Sequence, residues 1–122
     1  MRHTASGLAW KLSPTNTLIT DLMPLRVALA TIYVKASALV TVKVWLRRTN
    51  TGLTGSLFCR GGQLSGVASD LTSSISAAIN TWQEVTITCT PTEAGALEFE
   101  IHTYATDTVS SLYFDDFSAA QA

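Results

Sequence analysis

Carboxylates and histidines are the side chains of this sequence most suited to acid–base chemistry. Glu98 and Glu100 share one face of a predicted strand, and His102 follows them on the same face. Alternate residues of a strand lie about 7 Å apart, which is the ordinary spacing of solvated side chains on a sheet. General acid–base catalysis requires instead two groups in one pocket with separated pKa values. No catalytic residue is predicted, and the chain is not expected to be an enzyme.

The two cysteines are the other potentially reactive groups. Cys59 and Cys89 are distant in the sequence and have no CxxC spacing, so they do not indicate a zinc site. Cys89 has the strand parity of an inward-facing residue and is expected to be a buried, inert thiol. A disulfide between the two would require neighbouring strands with suitable geometry. No metal ion and no cofactor are predicted.

Aromatic residues on polar strand faces are the best candidates for a binding surface. Trp45 shares its face with Lys43 and Arg47, while Tyr33 and Tyr104 have outward parity on their own strands. These five residues form the candidate ligand or interface face. Exposed aromatic rings can stack on sugar rings, but an outward tryptophan can equally be covered by a loop or by a neighbouring subunit.

The remaining aromatic residues are assigned to the interior by their parity. Trp10 and Trp82 are predicted to be core residues. Tyr113 and Phe117 share parity and are expected to pack inward or at an interface. The small residues Ala28 and Ala30 are predicted to lie on one face of their strand.

Charge is scarce and unevenly distributed. Of 122 residues 14% are charged and 47% hydrophobic, and the net charge is -1, which argues against a nucleic-acid or anionic-membrane partner. All eight basic residues lie in residues 1–60, where Asp21 is the only acid, and the other eight acids lie in residues 61–122. Either a sandwich interleaves the two halves so that charges pair across strands, or opposite poles meet between subunits.

Alternating hydrophobicity dominates the chain and predicts strands throughout. Residues 82–90 and 96–105, which flank the turn at 91–95, are expected to form a hairpin. Residues 71–79 are also compatible with a helix, but their Thr and Ser content favours a strand. The prediction is a single all-β domain over residues 1–122, an antiparallel β-sandwich (jelly roll) of about eight strands. The predicted strands are residues 8–12, 27–37, 39–48, 56–60, 71–79, 82–90, 96–105 and 111–119, and residues 17–22 are a candidate for a further short strand.

The N-terminal segment lacks the apolar stretch of a signal peptide, and no apolar run approaches 18 residues. The chain is therefore expected to be made in the cytoplasm, not to be exported by itself, and not to enter a membrane.

Residues 27–120 resemble the jelly-roll carbohydrate-binding modules attached to bacterial glycoside hydrolases, and similar domains of phage tail, fibre and decoration proteins. The resemblance depends on the order of Trp82, the turn at 91–95 and the Asp115–Asp116 pair. It implies a jelly roll that stacks sugars on an aromatic sheet face. Many such modules begin with an extra strand whose acidic residue helps hold calcium. That strand has no counterpart here, so calcium is not predicted. The sheet edge that the strand would cover is expected to be paired by another subunit or protected by a local feature of the edge itself.

Two functions follow from these observations. The first is a non-enzymatic virion structural protein, a phage capsid decoration or tail/fibre component made in the host cytoplasm. Its partners would be copies of itself and other virion proteins. The alternative is a carbohydrate-binding module that binds glycans outside the cell as part of a larger protein.

Overall fold

The described part of the chain consists of β-strands joined by turns and loops. The computed structural model describes residues 9–13, 24–67, 70–105 and 110–122. No described residue belongs to a helix, so none lies in a helix able to cross a membrane. The predicted strand at 17–22 lies outside the described residues. The strands are β1 (Trp10–Leu12), β2 (Leu25–Val34), β3 (Val40–Arg48), β4 (Leu53–Cys59), β5 (Leu71–Ser74), β6 (Gln83–Cys89), β7 (Gly95–Ala105) and β8 (Leu112–Gln121).

The eight strands form two four-stranded sheets. Sheet A has the order β1-β8-β3-β6 and sheet B the order β2-β7-β4-β5. Every neighbouring pair is antiparallel. This strand order is that of a jelly roll, in which the two sheets face each other across a common core. The predicted all-β antiparallel sandwich is confirmed.

The strand order interleaves the two halves of the sequence. In both sheets, each neighbouring pair joins a strand from residues 1–60 to one from residues 61–122. The basic and acidic halves of the sequence therefore lie next to each other on neighbouring strands. Lys43 of β3 and Glu84 of β6 are an example, with Nζ and Oε1 3.6 Å apart. Of the two interpretations of the split charge, interleaving is confirmed. Because both side chains of this pair are well exposed, solvent screens it and it stabilises the fold little.

The predicted hairpin between residues 82–90 and 96–105 is wrong. β6 pairs with β3 in sheet A, whereas β7 pairs with β2 and β4 in sheet B. The intervening turn carries the chain from one sheet to the other, and Pro91 anchors it by accepting a 2.7 Å hydrogen bond from the Ser37 amide. The alternation of apolar and polar residues identifies which face of a strand is buried. It does not identify the partner strand, because a strand with one apolar face can bury that face from a position in either sheet.

The core lies between the sheets and is built from the inward residues of each strand. On β3, four alternate side chains are at most 1% exposed, which confirms the inward face predicted for this strand. β4 and β7 contribute further buried side chains from sheet B, including Leu57 and Phe99. Burial of this continuous apolar layer is the main force that holds the two sheets together. The four β3 residues are Val40, Val42, Val44 and Leu46.

Trp10 was predicted to be a core residue, and this prediction is wrong. Its side chain is 70% exposed. The ring stacks on Phe114 of the neighbouring strand β8, with ring centroids 6.4 Å apart and planes inclined by 16°. β1 is the edge strand of sheet A, and an inward-facing residue is buried only where the opposite sheet covers it. Trp82, also predicted as core, is half-buried immediately before β6.

Two β-bulges change the faces predicted for β2 and β8. The β2–β7 register shifts between Ala28 and Ala30, so the two residues do not share one face as predicted: Ala28 is exposed and Ala30 is half-buried. In β8 the register against β3 shifts near Asp116, whose φ of 53° lies in the left-handed region. Such an extra residue reverses the parity that follows it. Tyr113 and Phe117 consequently differ: Tyr113 lies opposite Lys11, whereas Phe117 packs against the core.

Candidate functional site

The outward face of sheet B carries a groove of about 200 Å³ over its central strands β4 and β7. Residues from both strands line it, together with one residue each from β5 and from the segment before β2. We call it the sheet B groove. Its lining residues are Pro24, Thr54, Ser56, Phe58, Thr72, His102 and Tyr104.

The floor of the groove is an aromatic stack. The rings of Phe58 and His102 have centroids 4.1 Å apart and planes inclined by 24°. Phe58 points outward because β4 buries the alternate residues, among them Leu57 and Cys59. His102 points outward for the same reason on β7, where Ile101 is fully buried. The two strands are hydrogen-bonded neighbours, so the sheet itself brings the rings together.

A carboxylate fixes the orientation of the His102 ring. His102 Nε2 lies 3.0 Å from Glu100 Oε1, on the same face of β7. The His102 side chain is 13% exposed and that of Glu100 24%. With the N–H of Nε2 donating to Glu100, the ring is held in one orientation against the Phe58 ring, so the stack is formed before any ligand arrives.

Hydroxyl groups surround the aromatic rings. Thr54 Oγ1 donates a hydrogen bond of 3.4 Å to the Tyr104 carbonyl, and the hydroxyls of Ser56 and Ser74 lie 2.9 Å apart. Thr72 completes this polar rim on β5. The groove therefore combines flat apolar ring faces with groups that both donate and accept hydrogen bonds.

The five residues of the predicted face lie on different sheets. Lys43, Trp45 and Arg47 occupy the outward face of β3 in sheet A, where Trp45 lies across from Glu84 of β6 and Asp115 of β8. Trp45 is half-buried there. Tyr33 and Tyr104 belong to sheet B. The structure thus separates the basic and tryptophan part of the predicted face from its two tyrosines.

Tyr104 is the predicted residue that lines the sheet B groove. Tyr33 is 86% exposed and lies across from Ala96 at the opposite end of β7, so the two tyrosines do not share a site. Phe58 and His102 were not among the predicted site residues. The predicted strand begins at Ser56 and therefore contains only one polar residue with the parity of Phe58. The observed strand begins at Leu53, so two polar residues, Thr54 and Ser56, share the outward parity of Phe58.

The two cysteines are free thiols in the structure. Cys59 is fully buried, and burial raises its pKa to about 11, with smaller contributions from Cys89 and Asp70. Burial also raises the pKa of the half-buried Cys89. Both thiols are thereby disfavoured as nucleophiles. Within residues 9–13, 24–67, 70–105 and 110–122, no three His, Cys, Asp or Glu side chains are grouped so as to hold a metal ion.

Comparison with known proteins relates this fold to carbohydrate-binding modules. A solved structure described as Family 16 Carbohydrate Binding Module-2 matches 95% of this chain and 79% of its own, with a TM-score of 0.57 and 14% identity. The Clostridium thermocellum xylanase 10B modules CBM22-1 and GH10, complexed with xylohexaose, match 93% of this chain with a TM-score of 0.52 and 14% identity. An arabinose-bound GH51 α-L-arabinofuranosidase matches 97% of this chain, with a TM-score of 0.50 and 10% identity.

These matches concern the fold. The chain spans 24% and 22% of the lengths of the xylanase and arabinofuranosidase chains, so it corresponds to a part of each. No protein-family model and no curated protein matches the sequence. The chain has the two-sheet jelly roll seen in carbohydrate-binding modules, as the resemblance of residues 27–120 implied.

Proposed function

We propose that this chain is a non-catalytic carbohydrate-binding module that holds a polysaccharide chain in the sheet B groove, outside the cell. The observation that carries the proposal is the Phe58–His102 stack beside Tyr104 on an outward sheet face. The jelly-roll fold, which carbohydrate-binding modules share, supports it.

The physical argument begins with the shape of a sugar ring. One face of a pyranose presents C–H groups, which stack on aromatic rings, while its rim presents hydroxyls that require hydrogen-bond partners. The sheet B groove supplies both, because Phe58 and Tyr104 line it together with the hydroxyl-bearing residues Thr54 and Ser56. Binding sites for small ligands have this composition, an apolar lining with a few polar groups that fix orientation.

The lining of the groove favours a neutral sugar. None of its seven residues is Lys, Arg, Asp or Glu. The nearby Glu100 carboxylate is engaged with His102. An anionic sugar would therefore meet no Lys or Arg side chain in the lining. A neutral polysaccharide is the ligand whose binding buries the least unpaired charge in the groove.

The virion function predicted from the sequence receives no support from the fold or from the similar solved structures. The charge split, for which opposite poles meeting between subunits was one of two interpretations, is explained within one chain by the interleaved strands. The carbohydrate-binding alternative is therefore the function that we put forward.

Affinity gel electrophoresis with soluble xylan, mannan, mixed-linkage glucan and galactan tests the proposal. We expect the wild-type chain to be retarded by at least one of these polysaccharides. Phe58→Ala and Tyr104→Ala should each weaken binding about tenfold, or about 1.4 kcal/mol, by removing a stacking surface. Trp45→Ala is the matched control, because it removes an aromatic residue from the outward face of the other sheet.

Two outcomes would overturn the proposal. Retardation by none of a broad panel of neutral polysaccharides would contradict carbohydrate binding itself. Loss of binding in Trp45→Ala, with Phe58→Ala unaffected, would place the site on sheet A. Circular dichroism of each variant distinguishes loss of a binding surface from loss of the fold.

A further inference from the structure

Sheet B carries a second depression, of about 250 Å³, at the β-bulge of β2. The register of β2 against β7 shifts there between Ala28 and Ala30. A bulge interrupts regular pairing and bends its strand, and the alanine side chains on both sides of the shift are too small to fill the space that results. The outward residues Thr31, Glu98 and Glu100 also line it. We call it the bulge depression.

The bulge depression adjoins the sheet B groove through Glu100. Glu100 lines the depression, and its Oε1 lies 3.0 Å from Nε2 of His102, which lines the groove. Phe58 of the groove lies directly across from Glu100 on the neighbouring strand β4. Because the outward residues of β7 follow one another along one face, a ligand that extends past the Phe58–His102 stack reaches the depression next.

Tyr33 lies beyond the bulge depression on the same face of sheet B. It is 86% exposed, the largest exposed fraction among the large hydrophobic residues of the described chain. It follows Thr31 by two residues on β2 and lies across from Ala96 of β7, whose small side chain cannot cover a tyrosine ring. An exposed tyrosine offers a flat apolar ring and a hydroxyl at its tip, and a sugar ring can use both.

The polar groups of the bulge depression are suited to sugar hydroxyls. Glu98 lies across from Thr31, and both residues are exposed. The Glu98 backbone is fixed by Gln63: its amide donates a 2.7 Å hydrogen bond to Gln63 Oε1, and Gln63 Nε2 donates to its carbonyl at 3.2 Å. An ionised carboxylate accepts hydrogen bonds, while a hydroxyl both donates and accepts them. Glu98 and Thr31 therefore offer hydrogen-bond partners on a strand that is already held in place.

We propose that the bulge depression and Tyr33 form a second sugar subsite, separate from the sheet B groove, which the same polysaccharide chain occupies. This inference rests on the proposed function and specifies its ligand. The chain would lie along β7, with one segment in the groove and another over the bulge depression, where a sugar ring stacks on Tyr33. The outward residues from Tyr104 to Ala96 span about 26 Å at the rise of a β-strand, so the ligand is a linear chain of several sugar units.

The second subsite also restricts the charge of the ligand. Glu98 and Glu100 are both acidic, and no Lys or Arg lines the bulge depression. A carboxylated or sulfated sugar would place its negative charge against these carboxylates, whereas a neutral sugar can donate its hydroxyls to Glu98. The subsite therefore selects a neutral chain both by the contacts that it offers and by repulsion of the charged alternative.

Isothermal titration calorimetry tests the subsite with oligosaccharides of increasing length, from disaccharide to hexasaccharide, prepared from the neutral polysaccharide that the chain binds best. The wild-type affinity is expected to rise at least about tenfold over the series, because the longer chains occupy both subsites. Tyr33→Ala should lower the affinity for the longest oligosaccharide about tenfold by removing a stacking surface. Glu98→Gln should lower it about threefold by removing a charged acceptor. Neither variant should change the affinity for the shortest oligosaccharide that binds.

Trp10→Ala is the matched control, because Trp10 is an aromatic residue of comparable exposure, 70%, on sheet A. It should leave the whole series unchanged, whereas Phe58→Ala should weaken the binding of short and long oligosaccharides alike. Circular dichroism of each variant shows whether the fold is retained.

The outcomes separate this inference from the proposed function. A wild-type affinity that does not depend on chain length would overturn the second subsite and leave the groove as a binding site. A length dependence that Tyr33→Ala leaves intact would do the same. Absence of binding at every length, and to the parent polysaccharide, would overturn the proposed function and the second subsite together.

Discussion

Phe58 and His102 lie face to face on the outward surface of sheet B, with ring centroids 4.1 Å apart. The two residues come from β4 and β7, which are distant in the sequence but adjacent in the sheet. Because the Glu100 carboxylate holds His102 from the side, the stack is a fixed feature of the fold. A ligand that stacks there loses little freedom of the protein on binding, which favours affinity.

Two replacements of His102 should separate the contribution of its ring from the contribution of its hydrogen bond to Glu100. His102→Ala removes the ring that supports Phe58, and we expect carbohydrate affinity to fall about tenfold, equivalent to about 1.4 kcal/mol. His102→Phe keeps a flat ring but loses the bond to Glu100, so it should retain more affinity than His102→Ala. Isothermal titration calorimetry with the best-bound polysaccharide provides the measurement. Equal affinity of His102→Ala and wild type would show that the stack does not contribute to binding.

The strands and their buried faces were predictable, because alternation of apolar and polar residues is a local property. The inward face of β3 is the clearest example. Strand pairing was not predictable in the same way: the hairpin of residues 82–90 with 96–105 was wrong because the turn at Pro91 crosses between sheets. Burial at the edge also depends on what covers a residue, which is why Trp10 has inward parity and is nevertheless exposed.

The candidate site was predictable only in part. Tyr104 was identified from its outward parity, and His102 was placed on the correct face with Glu100. Phe58 was missed because the predicted strand began at Ser56 and therefore omitted the polar residue Thr54. The position of Trp45 on the other sheet depends on strand order, which emerges only when distant segments pair.

Gly55 provides a test of how tightly the two sheets pack. A Cβ at this position would lie 2.5 Å from Cδ1 of Leu112, a side chain that is fully buried. Gly55→Ala should therefore lower the free energy of unfolding by about 1–3 kcal/mol through overpacking. Urea denaturation measures this change. In a Leu112→Val background the same substitution should cost less, and an equal cost in both backgrounds would contradict the contact.

The buried thiol of Cys59 should make stability depend on alkaline pH. Burial raises its pKa from 9.0 to about 11 in the folded state, so the folded chain keeps a proton that the unfolded chain releases. The free energy of unfolding should therefore fall as the pH rises from 9 to 11, by up to about 1.4 kcal/mol per pH unit from this group.

Urea denaturation at pH 8 and at pH 10 measures the effect of Cys59. Other groups also titrate in this range, so the comparison is with Cys59→Ala measured under the same conditions. We expect the loss of stability between the two pH values to be greater in the wild-type chain than in Cys59→Ala. An identical loss in both proteins would show that the Cys59 thiol does not titrate differently in the folded and unfolded states.

The central claim is that carbohydrate binds on the outward face of sheet B, and an NMR titration of the isotopically labelled chain with a soluble polysaccharide fragment tests it most directly. The account predicts that amide shifts on ligand addition concentrate in β4 and β7 around Phe58, His102 and Tyr104, with little change around Trp45 on sheet A. Shifts confined to β3 and β8, or none with any fragment of a polysaccharide panel, would contradict it.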